Sequence, residues 1–218
     1  MLFVGFPAQE MERLSGCLSR LMPHVKLDEV AITGGVAIQL GLATIGHRGS
    51  RTTIADLDLI SKRLDSVLET VSSSFLVSHY HVPQPGVPKS IIQLVDSVSR
   101  MRIDIFPDLV GSLSRARRFT IGEQVVNLLD LQSILDHKLL TVSKASQTGS
   151  AVDPKHDLDA RAMGAILHRE VPVVPADLLV EDVYGGDVDL VCQRCESSRT
   201  SAFPLAPKNR IFDLLGYV

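Results

Sequence analysis

The segment "ADLDLIS" sets two aspartates, Asp56 and Asp58, one residue apart in a run that otherwise reads as a buried strand. Along a strand, residues i and i+2 share a face. Asp56 and Asp58 therefore point the same way, rooted about 6–7 Å apart, while Leu57 and Leu59 face the opposite core. Two carboxylates held that close repel each other, and burial adds to the cost. A divalent cation relieves both, because hard oxygen ligands paired on a rigid element suit Mg²⁺. A third candidate, Asp104, lies in "MRIDIF" between Ile103 and Ile105. If that strand lies beside "ADLDLI", three carboxylates converge on one edge of the sheet. The alternative is that each aspartate sits at a frayed strand end, hydrated and inert.

The flanking segments indicate what surrounds these strands. Apolar residues at Met11, Leu14, Leu18 and Leu21 predict a helix. "EVAIT" reads as a strand broken by Gly34-Gly35, "VAIQLGL" as a short helix, and "DSVLETVSSSF" as a further helix. "SIIQLVD" and "MRIDIF", separated by "SVSR", read as a hairpin; "QPGVP" is a loop, and "RRFTIGEQVVNLL" gives one or two more strands. The character changes near Leu128. "LLDLQSILDHKLLTVSKASQ" and "PKHDLDARAMGAILHRE" predict two helices, the second with Pro154 near its first turn. We therefore expect an α/β (α+β) fold: a mixed β-sheet core with flanking helices over 1–128, then a helical C-terminal region over 129–218.

Bulk properties narrow the function classes. Hydrophobic residues make up 45% and charged residues 22% of the 218, a balance able to bury a real core. A net charge of −3 excludes a generic nucleic-acid sponge. The local basic cluster "SRARRF", Ser114–Phe119, reads as a solvated turn or strand edge, or else as a binding patch. No apolar run approaches the roughly 18 residues of a membrane span, and "MLFVGFPAQEMERL" lacks the basic n-region and cleavage site of a signal peptide. Cys17, Cys192 and Cys195 make no disulfide framework, so the expected compartment is a reducing cytoplasm. "CQRC" has the spacing of half a zinc site, with His168 and Cys17 as distant candidates, or is simply a pair of reduced thiols. His79 and His81 alternate on a strand beside Tyr80. Serine-nucleophile chemistry lacks a G-x-S-x-G, and Ser50 has no evident base.

The Gly34-Gly35 turn leads a strand into a helix. A helix N-terminus presents free N–H groups and a positive dipole end to phosphates, and glycine lets a ligand approach the backbone closely. No G-x-x-x-x-G-K-[ST] loop occurs.

Strand, Gly-Gly, helix, "DLDL" and then "RIDIF" together resemble the nucleotidyltransferase superfamily, the polymerase-beta-like fold. Within it the chain is similar to the AbiEii/AbiGii group, nucleotidyltransferase toxins of abortive-infection systems. The resemblance covers roughly Glu29 to Leu167. It implies that Gly34 and Gly35 hold a nucleoside triphosphate, that Asp56 and Asp58 ligate two Mg²⁺, and that Asp104 completes the metal site and helps deprotonate an attacking hydroxyl. It also implies transfer of a nucleoside monophosphate from an NTP to an RNA (tRNA) or protein acceptor, with a cognate antitoxin as a further partner and no membrane. An inactive nucleotide-binding module of the same fold, or a structural partner subunit, is the alternative. Three features depart from the family pattern. Thr33 and Gly35 stand where relatives carry Lys and Ser, and Arg51 and Thr53 lie about one residue further from the aspartates. The usual K-D-x-x-D becomes Lys155-His156-Asp157-Leu158-Asp159, with His156 at an Asp position.

The two predicted helices carry charges on apolar faces. Lys138 falls within the stripe Leu131, Ile134, Leu135 and Val142, and Asp159 shares one with Ala162, Met163 and Ile166. Such charges are uncommon on buried faces unless paired or lining a cleft. Either Lys138 and Asp159 tie the helices together, with snorkelling of Lys138 to solvent as a variant, or Asp159 orients Lys138 towards the triphosphate. Lys155 reads as solvated.

Overall fold

The structure, a computed structural model, describes residues 5–49, 51–63, 66–81 and 91–180. Ser50, the "QPGVP" loop and the Cys192–Cys195 pair lie outside the described residues. The chain divides into two compact units, with the boundary between Leu129 and Asp130.

Helix α1 (Ala8–Leu21) forms because Leu14, Cys17, Leu18 and Leu21 recur every three or four residues, and all four are fully buried. Met11 is only half-buried; Cys17 takes its place on the stripe. Burial, with Asp96 adding to it, pushes the Cys17 thiol up to about 12, which makes it a packing residue. Strand β1 (Val30–Ile32) leads directly into helix α2 (Gly34–Thr44). That helix is buried from Val36 through Leu42, as expected for a helix apolar on every side.

Among the described residues, the remaining strands of the first unit are β2 (Asp56–Ser61), β3 (Leu76–His81), β4 (Ile91–Asp96), β5 (Met101–Pro107), β6 (Arg117–Ile121) and β7 (Gln124–Leu128). They form one mixed seven-stranded sheet in the order β3-β4-β5-β2-β1-β7-β6. Pairs β2/β5 and β1/β7 are parallel and the rest antiparallel. The expected hairpin is β4–β5, and "RRFTIGEQVVNLL" makes a second one, β6–β7, turning at Gly122 with φ +58°. The basic cluster spans a 3-10 turn (Ser112–Arg115) and edge strand β6, with Arg115, Arg117 and Arg118 exposed. Charge on an edge strand discourages pairing with another chain.

One expected helix is absent. The described part of "DSVLETVSSSF" holds only a 3-10 turn at Glu69–Ser73. Val67 bridges Val25 instead, and Ser73 bonds back to the Thr70 carbonyl. Serine competes with helical hydrogen bonding in this way, and β-branched valines do not resist it.

In the second unit, α3 (Leu131–Thr148) is capped by Asp130, whose carboxylate accepts from Ser133 N, and ends at Gly149 with φ +65°. Helix α4 (Pro154–Leu167) starts on Asp153 with proline in the first turn. Its buried face is Asp157, Ala160, Met163 and Gly164; Ala162, expected inside, is exposed. Gly164 sets this rotation, because a Cβ there would sit 2.6 Å from Val171 and 2.8 Å from the Arg169 carbonyl.

Within the first unit, Asp96 at the end of β4 is completely buried. Arg20 of α1 donates to both its oxygens at 3.2 and 2.5 Å, and Ser99 Oγ donates at 2.5 Å. Burial alone drives this carboxyl up, but the bonds from Arg20 and Ser99 outweigh it and hold it below the usual carboxylate range. The pair therefore stabilises the fold above the unfolded-state pKa of Asp96, and the contribution is lost as pH falls through the lowered value. Arg20→Met strands a buried carboxylate and should cost about 3 kcal/mol near neutral pH. Denaturant melts should show that deficit narrowing in acid, where the orphaned carboxyl takes up a proton.

Candidate active site

The parallel β2/β5 pairing sets Asp58 directly across from Asp104, and Asp56 across from Arg102. Alternation keeps Leu57, Leu59, Ile103 and Ile105 on the buried face. Asp56, Asp58 and Asp104 each offer a carboxylate oxygen, all within 4.8 Å of one another. Asp56 and Asp58 are half-buried and Asp104 is 7% exposed. Three hard oxygen donors at this spacing are placed to hold a divalent cation.

Arg102 was not singled out in the sequence, although its i−2 spacing from Asp104 puts it on the same face. Its Nη2 donates to Asp56 Oδ2 at 2.7 Å, and its Nε lies 3.4 Å from Asp104 Oδ2. The second contact is an ion pair only, since the Nε–H is not aligned for a hydrogen bond.

Gly34 and Gly35 open helix α2 beside these carboxylates. Gly34 has φ +62°, and a Cβ there would overlap the Asp58 carboxylate outright. Thr33, the N-cap residue, makes no side-chain cap, and the first turn carries no acidic residue. A Cβ on Gly35 would lie 2.7 Å from Arg51 Nη1, so the guanidinium lies over the helix start. The backbone of Arg51 is held by Gln39, a 4% exposed amide within α2 that the sequence reading missed. Gln39 Nε2 donates to the Arg51 carbonyl at 3.0 Å, and Arg51 N donates to Gln39 Oε1 at 3.3 Å. A polar residue alone in an apolar helix was the available signal. Thr53 is exposed on the loop before β2. That loop is pinned at Ile54, whose N–H donates to Glu10 and whose carbonyl accepts from Arg13.

Lys138 and Asp159 belong to the second unit, where Lys138 Nζ lies 3.1 Å from Asp159 Oδ2, both side chains 12% exposed. The ammonium also donates to His156 Nδ1 at 2.8 Å. Burial pushes the His156 imidazole down, and the Lys138 and Lys155 ammoniums push it further, to about 4. Lys155 is half-exposed and lies 3.5 Å from Asp153.

No protein-family model matches the sequence, and no curated protein matches it. Among solved structures the chain is similar to a candidate nucleotidyltransferase from Thermotoga maritima, at 15% identity and TM-score 0.47, over 66% of this chain and 92% of that one. It is similar to the antibiotic-resistance factor ANT(2'')-Ia at 14% identity and TM-score 0.48, over 88% and 94% of the two chains. A nucleotidyltransferase-like protein from Paracoccidioides brasiliensis is similar at 20% identity and TM-score 0.40, over 89% and 90%. The chemistry of the site rests on its own residues. Among the described residues, no helix is long and apolar enough to cross a membrane.

Gly34→Ala should lose Mn²⁺ binding, read by calorimetry, as well as about 1–2 kcal/mol to left-handed strain. Gly46→Ala, with φ +79° but open space around it, should show the strain alone. Equal metal affinity in the two variants would remove Asp58 from the site.

The His156 ring should titrate near 4 by NMR, and Lys138→Met should raise that midpoint. Because the folded value lies below the ordinary histidine value of about 6.5, stability is complete above that value. It should fall as pH drops from there towards the folded midpoint.

Proposed function

We propose that this protein is a Mg²⁺-dependent nucleotidyltransferase that moves a nucleoside monophosphate from an NTP to a hydroxyl of RNA, tRNA foremost, or of a protein. The observation that carries the reading is the meeting of Asp56, Asp58 and Asp104 within 4.8 Å with a glycine-built helix start. The carboxylates fit Mg²⁺: the donors are all oxygen, and three of them leave coordination positions for phosphate oxygens and water. In this reading Asp56, Asp58 and Asp104 hold two ions. When bound, the metal stabilises charge on the attacking and leaving oxygens of an in-line displacement.

The chain's own residues supply the rest. Gly34 and Gly35 let phosphate oxygens approach the N–H groups of the first turn of α2, where the helix dipole favours anions. Arg51, its backbone held by Gln39, brings a guanidinium over the helix start for the triphosphate. The acceptor oxygen bonds to the α-phosphorus, the bond from that phosphorus to the departing pyrophosphate breaks, and Asp104 takes the hydroxyl proton. A triphosphate role for Lys138 would require it to exchange Asp159 and His156 for phosphate oxygens. A toxin-like role in the cytoplasm, opposed by an antitoxin, extends the same proposal.

One observation favours a second reading, an inert nucleotide-binding module: Arg102 already pairs with Asp56 and lies against Asp104. Transfer of label from α-labelled NTPs to tRNA and to protein extract, with each base and Mg²⁺, separates the two. Labelling should fall to background in Asp56→Ala and in Asp58→Ala. NTP-dependent thermal stabilisation without transfer to any acceptor would support the inert module.

A further inference from the structure

Gln93 stands directly across from Asp104 in the antiparallel β4/β5 pairing. Its Nε2 donates to Asp104 Oδ1 at 2.9 Å. The other end of the amide is also fixed. Ser78 Oγ, on β3, lies 3.1 Å from Gln93 Oε1 and 3.2 Å from the Gln93 carbonyl. The β3/β4 register shifts between Val77 and His79, so Ser78 sits at the irregularity, where a bulge re-aims a side chain. The amide has one sensible orientation, because an ionised carboxylate only accepts and a hydroxyl can satisfy Oε1. A polar chain of Ser78, Gln93 and Asp104 thus crosses three neighbouring strands.

We propose that Gln93 is a positioning residue for the cation site, one that fixes the carboxylate plane of Asp104 and turns a single oxygen towards the metal. The inference rests on the functional reading above. Asp104 is the most buried of the three carboxylates, and its Oδ2 is the oxygen beside Arg102. In this reading Gln93 engages Oδ1 and the ligand acts through Oδ2 alone. Gln93 does this as a neutral donor, adding no charge that would compete with the cation. Partners that orient a metal ligand typically contribute about 10–100-fold to metal affinity.

The test is Mn²⁺ binding followed by electron paramagnetic resonance, Mn²⁺ taking the same oxygen ligands as Mg²⁺. Gln93→Met keeps the side chain's length and removes its donor; affinity should fall about tenfold, with the metal-free melting temperature near that of the wild type. In an Asp104→Ala background the same substitution should change the residual affinity no further, which a general loss of packing would not reproduce. Should Gln93→Met fail to fold, Ser78→Ala releases the far end of the amide and should give a smaller loss in the same direction. Wild-type affinity in Gln93→Met, or an undiminished loss without Asp104, overturns the proposal. A wild-type protein that binds no Mn²⁺ overturns the functional reading instead.

Discussion

The parallel pairing of β2 with β5 fixes everything else at the site. Asp58 faces Asp104 and Asp56 faces Arg102 only in this register, and a slip of one residue would carry every side chain of a strand to the other face. Leu57, Leu59, Ile103 and Ile105, all buried, make such a slip costly. The same strand also sets the helix start. Beyond the β1/β2 ladder, Thr33 N donates to the Asp58 carbonyl at 2.9 Å. One backbone bond therefore ties the N-cap residue of α2 to the residue whose carboxylate lies against Gly34.

That arrangement concentrates charge, and magnitudes decide what balances it. At 4.8 Å, two like charges repel by about 3–4 kcal/mol at an effective dielectric of about 20, so three mutual pairs amount to about 10 kcal/mol. Each carboxylate has a local counter-group: Asp56 has Arg102, Asp58 the positive end of α2, and Asp104 the Gln93 amide. A helix end supplies about 0.3–1 kcal/mol and a hydrogen bond to a charged group about 1.5–3 kcal/mol. Arg102 brings a full positive charge to Asp56, and the Arg51 guanidinium lies over the start of α2. A divalent cation would offset this mutual repulsion directly.

The strands bearing these carboxylates were legible because period-2 alternation and the i, i+2 rule need no tertiary information. The β4–β5 hairpin and the break at Gly34-Gly35 were legible for the same local reasons. Gln93 and Arg102 were visible as polar residues in apolar strands, yet their partners depend on register, which one strand's sequence does not specify. Arg51 reached the site through Gln39, a contact across a loop with no periodicity to follow. The helix expected over "DSVLETVSSSF" failed where serines bonded back to the chain, and the stripe expected on α4 was rotated by the close approach at Gly164. Both errors came from apolar spacing being read without the neighbours that compete with it.

In the second unit, His156 and Asp159 share Lys138. His156 meets Lys138, accepting a hydrogen bond on Nδ1. A carboxylate at that position would give Lys138 two negative partners and leave the trio with a net charge of −1. With His156 neutral down to about 4, Lys138 has one charged partner, Asp159, and the trio is balanced. Burial already disfavours a proton on His156, and one there would also set two cations against one carboxylate; together these depress its pKa. His156 therefore contacts Lys138 without adding a negative charge beside it, so the ammonium is oriented by two groups but neutralised by only one.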